Sequence, residues 1–172
     1  MPQVQKFSTG VFIDYMQSRK NYNTITSLSN LENGINYFDG DLVINDENKN
    51  IFNNKKVVLV LAKNKTLTFN LDADGKFSPT NTSVIFLATN INLDKNVVQL
   101  DNTILISDNF STGKGENSLK INGNLNVQKS FNFNRNVGNN AKPSIFIYFK
   151  INPYLELLPY LSTSVYDWKQ IQ

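Results

Sequence analysis

The segment Leu61-Ala62-Lys63-Asn64-Lys65-Thr66-Leu67-Thr68-Phe69 contains the pattern that decides the fold: an apolar strand, a short polar corner and a second, alternating strand. The same pattern recurs in residues 37–44, 87–93 and 121–127. The first inward residues after the four corners are Leu42, Leu67, Ile91 and Leu125, which gives steps of 25, 24 and 34 residues. A repeat near 24 residues is typical of one turn of a parallel β-helix.

An antiparallel β-sandwich is the alternative, because Asp39-Gly40 and Asn122-Gly123 are strong signals for tight hairpins. Hairpins do not require a strand–corner–strand unit about every 24 residues, so the repeat favours the solenoid. The longer third step is interpreted as a turn with an extra side, formed by residues 97–100 and 103–107 and a loop over residues 110–117.

The predicted fold is mostly β: a single-stranded, parallel, right-handed β-helix in one structural domain. Residues 1–33 are predicted to form a helical N-terminal cap, with one apolar helical face and a second short helix over residues 26–31 that Ser27 or Thr26 begins. The β-helical turns occupy residues 34–143. Residues 144–172 form a C-terminal strand and an apolar strap, since Pro153 and Pro159 disfavour a long helix.

The composition excludes several kinds of chemistry. The 172 residues include no His and no Cys, which removes the usual zinc, haem and iron–sulfur ligands, thiol catalysis, the common His base and any disulfide. They also include 28 Asn. Asn tolerates the left-handed backbone of solenoid corners and can form amide ladders between stacked turns. An AT-rich coding sequence is the alternative explanation of the Asn content, and both causes are expected to act.

Charge and hydropathy give little sign of a partner. The net charge of +3 lacks a basic cluster, so we expect no nucleic-acid partner. No apolar run reaches the length of a membrane span or a signal peptide, so we expect no membrane insertion. The chain is expected to be cytoplasmic if Met1 is its natural start, and extracellular or in the cell envelope if it belongs to a longer exported protein. The oligomeric state stays open.

Three groups of side chains are candidates for binding. Asp39 and Asp41 flank one corner and are candidate glycan-binding carboxylates, although solvation of the corner is the favoured explanation for them. The aromatic residues of the tail are candidates for sugar or partner recognition, or for packing of the strap: Tyr154, Tyr160 and Trp168. Asp72-Ala73-Asp74-Gly75 matches the start of a calcium loop but lacks its later ligands, so calcium is a weak candidate and no other cofactor is expected. No catalytic residue is predicted.

Several segments together resemble a known kind of domain. They are residues 33–44, 91–94, 97–101, 119–125 and 130–135, followed by Pro153-Tyr154-Leu155 and Trp168 in the tail. These motifs resemble an uncharacterised right-handed β-helix domain of bacterial cell-surface proteins of candidate-phyla type and, more remotely, bactofilin-like β-solenoids. The resemblance implies a non-enzymatic structural or interaction module of a cell-surface or secreted protein, with adhesion, envelope architecture or assembly as its role. The alternative is a β-helix that binds or cleaves carbohydrate.

Overall fold

The computed structural model describes residues 8–19, 22–138 and 143–161, which form parallel strands stacked as a β-solenoid of about five turns, together with two α-helices. The α-helices are α1 (Thr9–Arg19) and α2 (Asn152–Leu161). Two short 3-10 helices span Leu28–Asn30 and Lys49–Phe52. The strands are β1 (Asn23–Ile25), β2 (Gly34–Phe38), β3 (Leu42–Asn45), β4 (Lys56–Leu61), β5 (Thr66–Asn70), β6 (Lys76–Phe77), β7 (Ser83–Leu93), β8 (Gln99–Thr112), β9 (Leu119–Asn132) and β10 (Ile145–Phe149).

The strands form three faces of the solenoid. The first face stacks β1, β2, β4 and residues 83–88, 103–107 and 123–127. The second stacks β3, β5 and residues 90–93, 109–112 and 130–132. The third stacks β6, residues 99–101 and 119–122, and β10. All of these pairs are parallel, so the antiparallel sandwich is wrong for the part of the chain that the structure describes.

The register confirms two of the three predicted repeat steps and corrects the third. Leu42 pairs with Leu67 and Leu67 with Ile91, as the sequence predicts. Ile91 then pairs with Phe110, 19 residues on, and Phe110 pairs with Phe131 rather than Leu125. The stretch that the sequence predicts as one turn with an extra side therefore contains an additional complete turn, from Ile91 to Phe110. Residues 110–112, predicted as part of a loop, belong to β8 because their side chains continue the second face.

Four phenylalanine rings form the centre of the column. Phe52, Phe69, Phe77 and Phe86 are buried, and their ring centroids lie 5.3–5.7 Å apart in edge-to-face contacts. Such contacts are the preferred geometry for aromatic pairs, and each contributes about 0.5–1.5 kcal/mol beyond area burial. The rings come from three consecutive turns, so this cluster ties the turns together along the column.

A second apolar layer lies outside the first face, where the two α-helices pack. Alternate residues of β4 point inward, while Val58 and Val60 point outward into a cluster that includes Ile13 of α1 and Leu157 of α2. Helix α1 contacts β7 and β8, and α2 contacts β2, β4, β7 and β8. The predicted first helix exists, with Ser8 Oγ accepting from the Val11 N–H at 3.3 Å, but it covers a face and does not cap an end. The apolar surface of the first face explains this placement.

The segment after α1 closes the N-terminal end of the column. Ile25, Leu28 and Leu31 are buried against the inner core. The predicted second helix is the 3-10 turn Leu28–Asn30, and the Ser27 side chain accepts from the Ser29 N–H at 3.2 Å. Part of the predicted N-terminal region thus caps this end, which we call the capped end.

The C-terminal strap is a helix, which corrects the sequence prediction. Pro153 lies in the first turn of α2, where its missing N–H would have no helical partner anyway. Pro159 lies in the last turn. The two prolines are therefore compatible with a helix of 10 residues. Lys56 and Ser83 both bond to Glu156, and the Ser83 Oγ–Glu156 Oε2 distance is 2.5 Å, so these contacts fix α2 to the first face.

Asparagine occupies both roles predicted from the sequence. Among the described residues, the non-glycine positions with positive φ are all Asn: Asn54, Asn64, Asn81 and Asn102. A polar ladder also crosses four turns. Asn90 donates to Thr66 at 3.3 Å, Asn109 donates to Asn90 at 2.9 Å, and Ser130 donates to Asn109 at 2.8 Å. Corners and ladders explain the placement of these residues.

Candidate functional site

Asp39 and Asp41 lie exposed at the corner between β2 and β3. Asp41 Oδ1 accepts from the Thr66 N–H of the next turn at 2.7 Å, so this carboxylate joins two corners. The pKa of Tyr37 is raised, first by burial of its hydroxyl and then by the negative charge of Asp39. The observed contacts of this pair are those of a solvated corner.

Asp72 and Asp74 lie at a corner where a lysine side chain already provides the positive charge. Lys49 Nζ lies 2.7 Å from Asp46 Oδ1 and 2.8 Å from Asp74 Oδ1. Hydrogen bonding to Lys49 holds the pKa values of both carboxyl groups below their ordinary value. Asp72 instead accepts from Asn96 at 2.8 Å. The described residues contain no group of three or more His, Cys, Asp or Glu that could hold a metal ion.

Tyr154 and Tyr160 are half-buried on the inner side of α2, where both pack against the outer apolar layer. The Tyr154 hydroxyl accepts from Asn124, and the Tyr160 ring lies over Gly34, 3.2 Å from where a Cβ would be. Trp168 lies outside the described residues. The Tyr160 side chain packs against the start of β2, whereas Asp39 follows the end of that strand. The predicted carboxylates and aromatic residues therefore do not form one site.

In the part of the chain that the structure describes, the C-terminal end of the column is open. Its last layer contains six apolar side chains, which we call the open end: Leu125, Val127, Phe131, Phe133, Ile145 and Ile147. Phe131 is 48% exposed and Ile147 is 47% exposed, whereas Phe110, stacked directly beneath Phe131 at 5.5 Å, is 1% exposed. The layer therefore covers the turn below it but has no described layer above it.

The open end is framed by strand edges without neighbours in the described structure. Residues 124–132 of β9 and the whole of β10 pair on one side only. The rim side chains of this edge are neutral amides: Asn124, Asn126, Gln128 and Asn132. Lys129 is the one charged residue within these two stretches, and its Nζ lies 2.7 Å from Asp108 Oδ2. An apolar layer with a neutral polar rim is the composition of a binding surface.

Buried charged groups close to this end have structural partners. Burial raises the pKa of Asp108, but hydrogen bonds from Lys129 and Thr9 outweigh this and hold the pKa below its ordinary value. Asp108 Oδ1 accepts from both the N–H and the hydroxyl of Thr9, at 3.0 and 2.8 Å, which fixes the start of α1. Arg135 donates to the carbonyl oxygens of Asn117, Asp94 and Val97. These groups are occupied by contacts within the fold.

Of the six side chains of the open end, Leu125 is predicted from the sequence to face inward, but the sequence does not identify it as part of the last layer. The reason is the misplaced step, which put Leu125 directly above Ile91, whereas the structure has Phe110 above Ile91 and Phe131 above Phe110. Val57–Ala62 gives a further signal, because apolar residues at successive positions of a strand indicate burial on both sides. That signal predicts an outer cover over the first face.

No protein-family model, no curated protein and no solved structure matches this chain. Among the described residues, neither helix has the length and apolar composition needed to cross a membrane.

Proposed function

We propose that this chain is a non-enzymatic structural or interaction module that uses the open end as its binding surface. The observation that carries the proposal is the difference between the two ends of the column. Ile25, Leu28 and Leu31 close one end, whereas the other presents half-exposed Phe131 and Ile147 to solvent. Exposed apolar layers of this kind are costly to a protein unless a partner covers them.

The polar contacts support the same proposal. Asp41, Asp46, Asp74 and Asp101 each accept hydrogen bonds that join neighbouring turns. Asp108 fixes α1, and Glu156 fixes α2. Carboxylates engaged in this way stabilise a rigid scaffold, whereas glycan cleavage needs a pair of carboxylates that face a substrate groove.

A location at the cell surface or outside the cell, a bacterial origin and a role in adhesion or envelope architecture are further parts of the proposal. Their support is the sequence resemblance described above. A rigid column with one capped and one adhesive end suits a module that positions or joins other components.

A glycan-array screen of the purified chain, with and without calcium, tests the proposal against the carbohydrate alternative. We expect no specific binding and no cleavage in either condition. Binding or cleavage that Asp39→Asn abolishes, while the matched corner variant Glu47→Gln retains it, would replace the proposed function with a carbohydrate-active one. Both residues are exposed carboxylates at corners, so a general effect of charge would change both variants equally.

A further inference from the structure

We infer that the partner of the open end is a second copy of this chain, bound end to end across a twofold axis to give a closed dimer. This inference deepens the proposed function by naming the partner of the same surface. Two open ends would place one apolar layer against the other, including Phe131, Phe133 and Ile147 of each copy.

The charge distribution favours a second copy. Two identical surfaces attract only where they do not present uncompensated like charges to each other. Residues 124–132 contain Lys129 alone, which is paired with Asp108, and residues 145–149 contain no charge. Amide side chains both donate and accept hydrogen bonds, so Asn126, Gln128 and Asn132 of the rim can form hydrogen bonds with the rim of a second copy.

The strand edges favour it as well. Residues 124–132 have backbone N–H and C=O groups directed beyond the last turn, and proteins that remain monomeric commonly protect such edges with charges or proline. This edge has no proline and no unpaired charge. The edge of a second copy supplies the missing donors and acceptors through antiparallel pairing.

The capped end fixes the stoichiometry at two. Head-to-tail stacking would place the open end of one copy on Ile25, Leu28 and Leu31 of the next, but those side chains are already covered. The isologous contact between two open ends is the end-to-end arrangement that covers both exposed apolar layers, and an isologous contact closes after two copies. The edge contributes nine residues from β9 and five from β10. Stable interfaces use roughly 20–30 residues a side, so we expect a weak dimer with a Kd on the order of 10 μM.

Sedimentation of the full chain over about 1–500 μM, a range that brackets this Kd, measures the association. We expect a monomer that converts to a dimer and grows no further. Phe131→Glu places one carboxylate from each copy in the apolar layer, and Asn126→Lys adds a charge to the rim; each should raise the Kd at least about tenfold. Val43→Glu, at a side chain that is also 48% exposed but lies on the first turn, and Asn50→Lys are the matched controls and should leave the Kd unchanged.

Amide hydrogen exchange at low and high protein concentration gives the second readout. We expect residues 124–132 and 145–149 to exchange more slowly at high concentration, and residues 23–31 at the capped end to be unaffected. A monomer at every concentration, a mass that grows beyond two copies, or a dimer that both open-end variants leave intact would overturn the inference. Protection of the edge at all concentrations would also overturn it, because another part of the same chain would then cover the open end. Specific glycan binding would contradict the proposed function but would not change the masses measured by sedimentation, so the two failures can be told apart.

Discussion

Replacement of Phe86 by alanine tests whether the aromatic cluster holds the turns together. Phe86 is fully buried on the third turn, and its ring contacts Phe52 of the first turn and Phe69 and Phe77 of the second at 5.3–5.7 Å. Truncation of a buried Phe to Ala costs about 3–5 kcal/mol. Because three edge-to-face contacts are lost together, we expect about 4–5 kcal/mol, a large part of the 5–15 kcal/mol that stabilises a typical domain.

Urea unfolding followed by far-UV circular dichroism measures this loss. Phe149→Ala is the matched control, because that ring is 63% exposed and contacts only the Tyr154 ring among the described aromatic pairs. We expect the control to lose about 1 kcal/mol or less. A loss below about 2 kcal/mol for Phe86→Ala, or equal losses for the two variants, would refute the view that the cluster is the main link between turns. Both variants are measured below the concentration at which the dimer forms.

Three further predictions concern single positions. Gly123→Ala places a Cβ 1.8 Å from the Thr103 carbonyl oxygen of the neighbouring turn, so we expect it to lower the melting temperature strongly; an unchanged melting curve would contradict the observed approach of the two backbones. Because the folded pKa of Asp108 lies below its unfolded value near 4, its contribution is complete above that pH and is lost as the pH falls through the folded value. Asp108→Asn should therefore cost about 1–3 kcal/mol at pH 7 and progressively less below pH 4, as measured by urea unfolding, and an equal cost at all pH values would contradict this. Calcium or a chelator should leave the melting temperature unchanged, since Lys49 already forms ion pairs with Asp46 and Asp74 at this corner; a calcium-dependent rise would show that the corner binds the ion.

The inward column could be predicted because it depends on local alternation. Leu42, Leu67 and Ile91 each follow a corner rich in Asn, Asp or Lys, and each pairs as expected. The step to Phe110 was missed because β8 continues through its corner as one strand, with Asp108 at the bend and no glycine there to mark it. A repeat of variable length hides such a turn, and one missed turn shifts every later layer.

The outer features depended on contacts that local patterns do not specify. The helical face of α1 was visible in the sequence, but its position on the first face depends on Val58, Val60 and Leu87 of distant strands. The two prolines of α2 led to the prediction of a strap instead of a helix. That prediction was wrong because proline disrupts a helix mainly in its interior, and these prolines lie in the first and last turns. The open end could not be recognised until the number of turns was known, since Phe131 has the same alternation as buried residues beneath it.

Helix α1 has a consequence for the length of the solenoid. Helix α1 has 11 residues and is about 16 Å long, which is close to three spacings of about 4.8 Å between stacked strands. Its first turn is bonded to Asp108 on the fourth turn, and Asp14 pairs with Lys63 on the second. An additional turn inserted between these anchors would separate them by one more strand spacing, and α1 would need about three more residues to reach both. Helix α1 thus fixes the number of turns between its two anchors, and this part of the column can lengthen only when the helix lengthens with it.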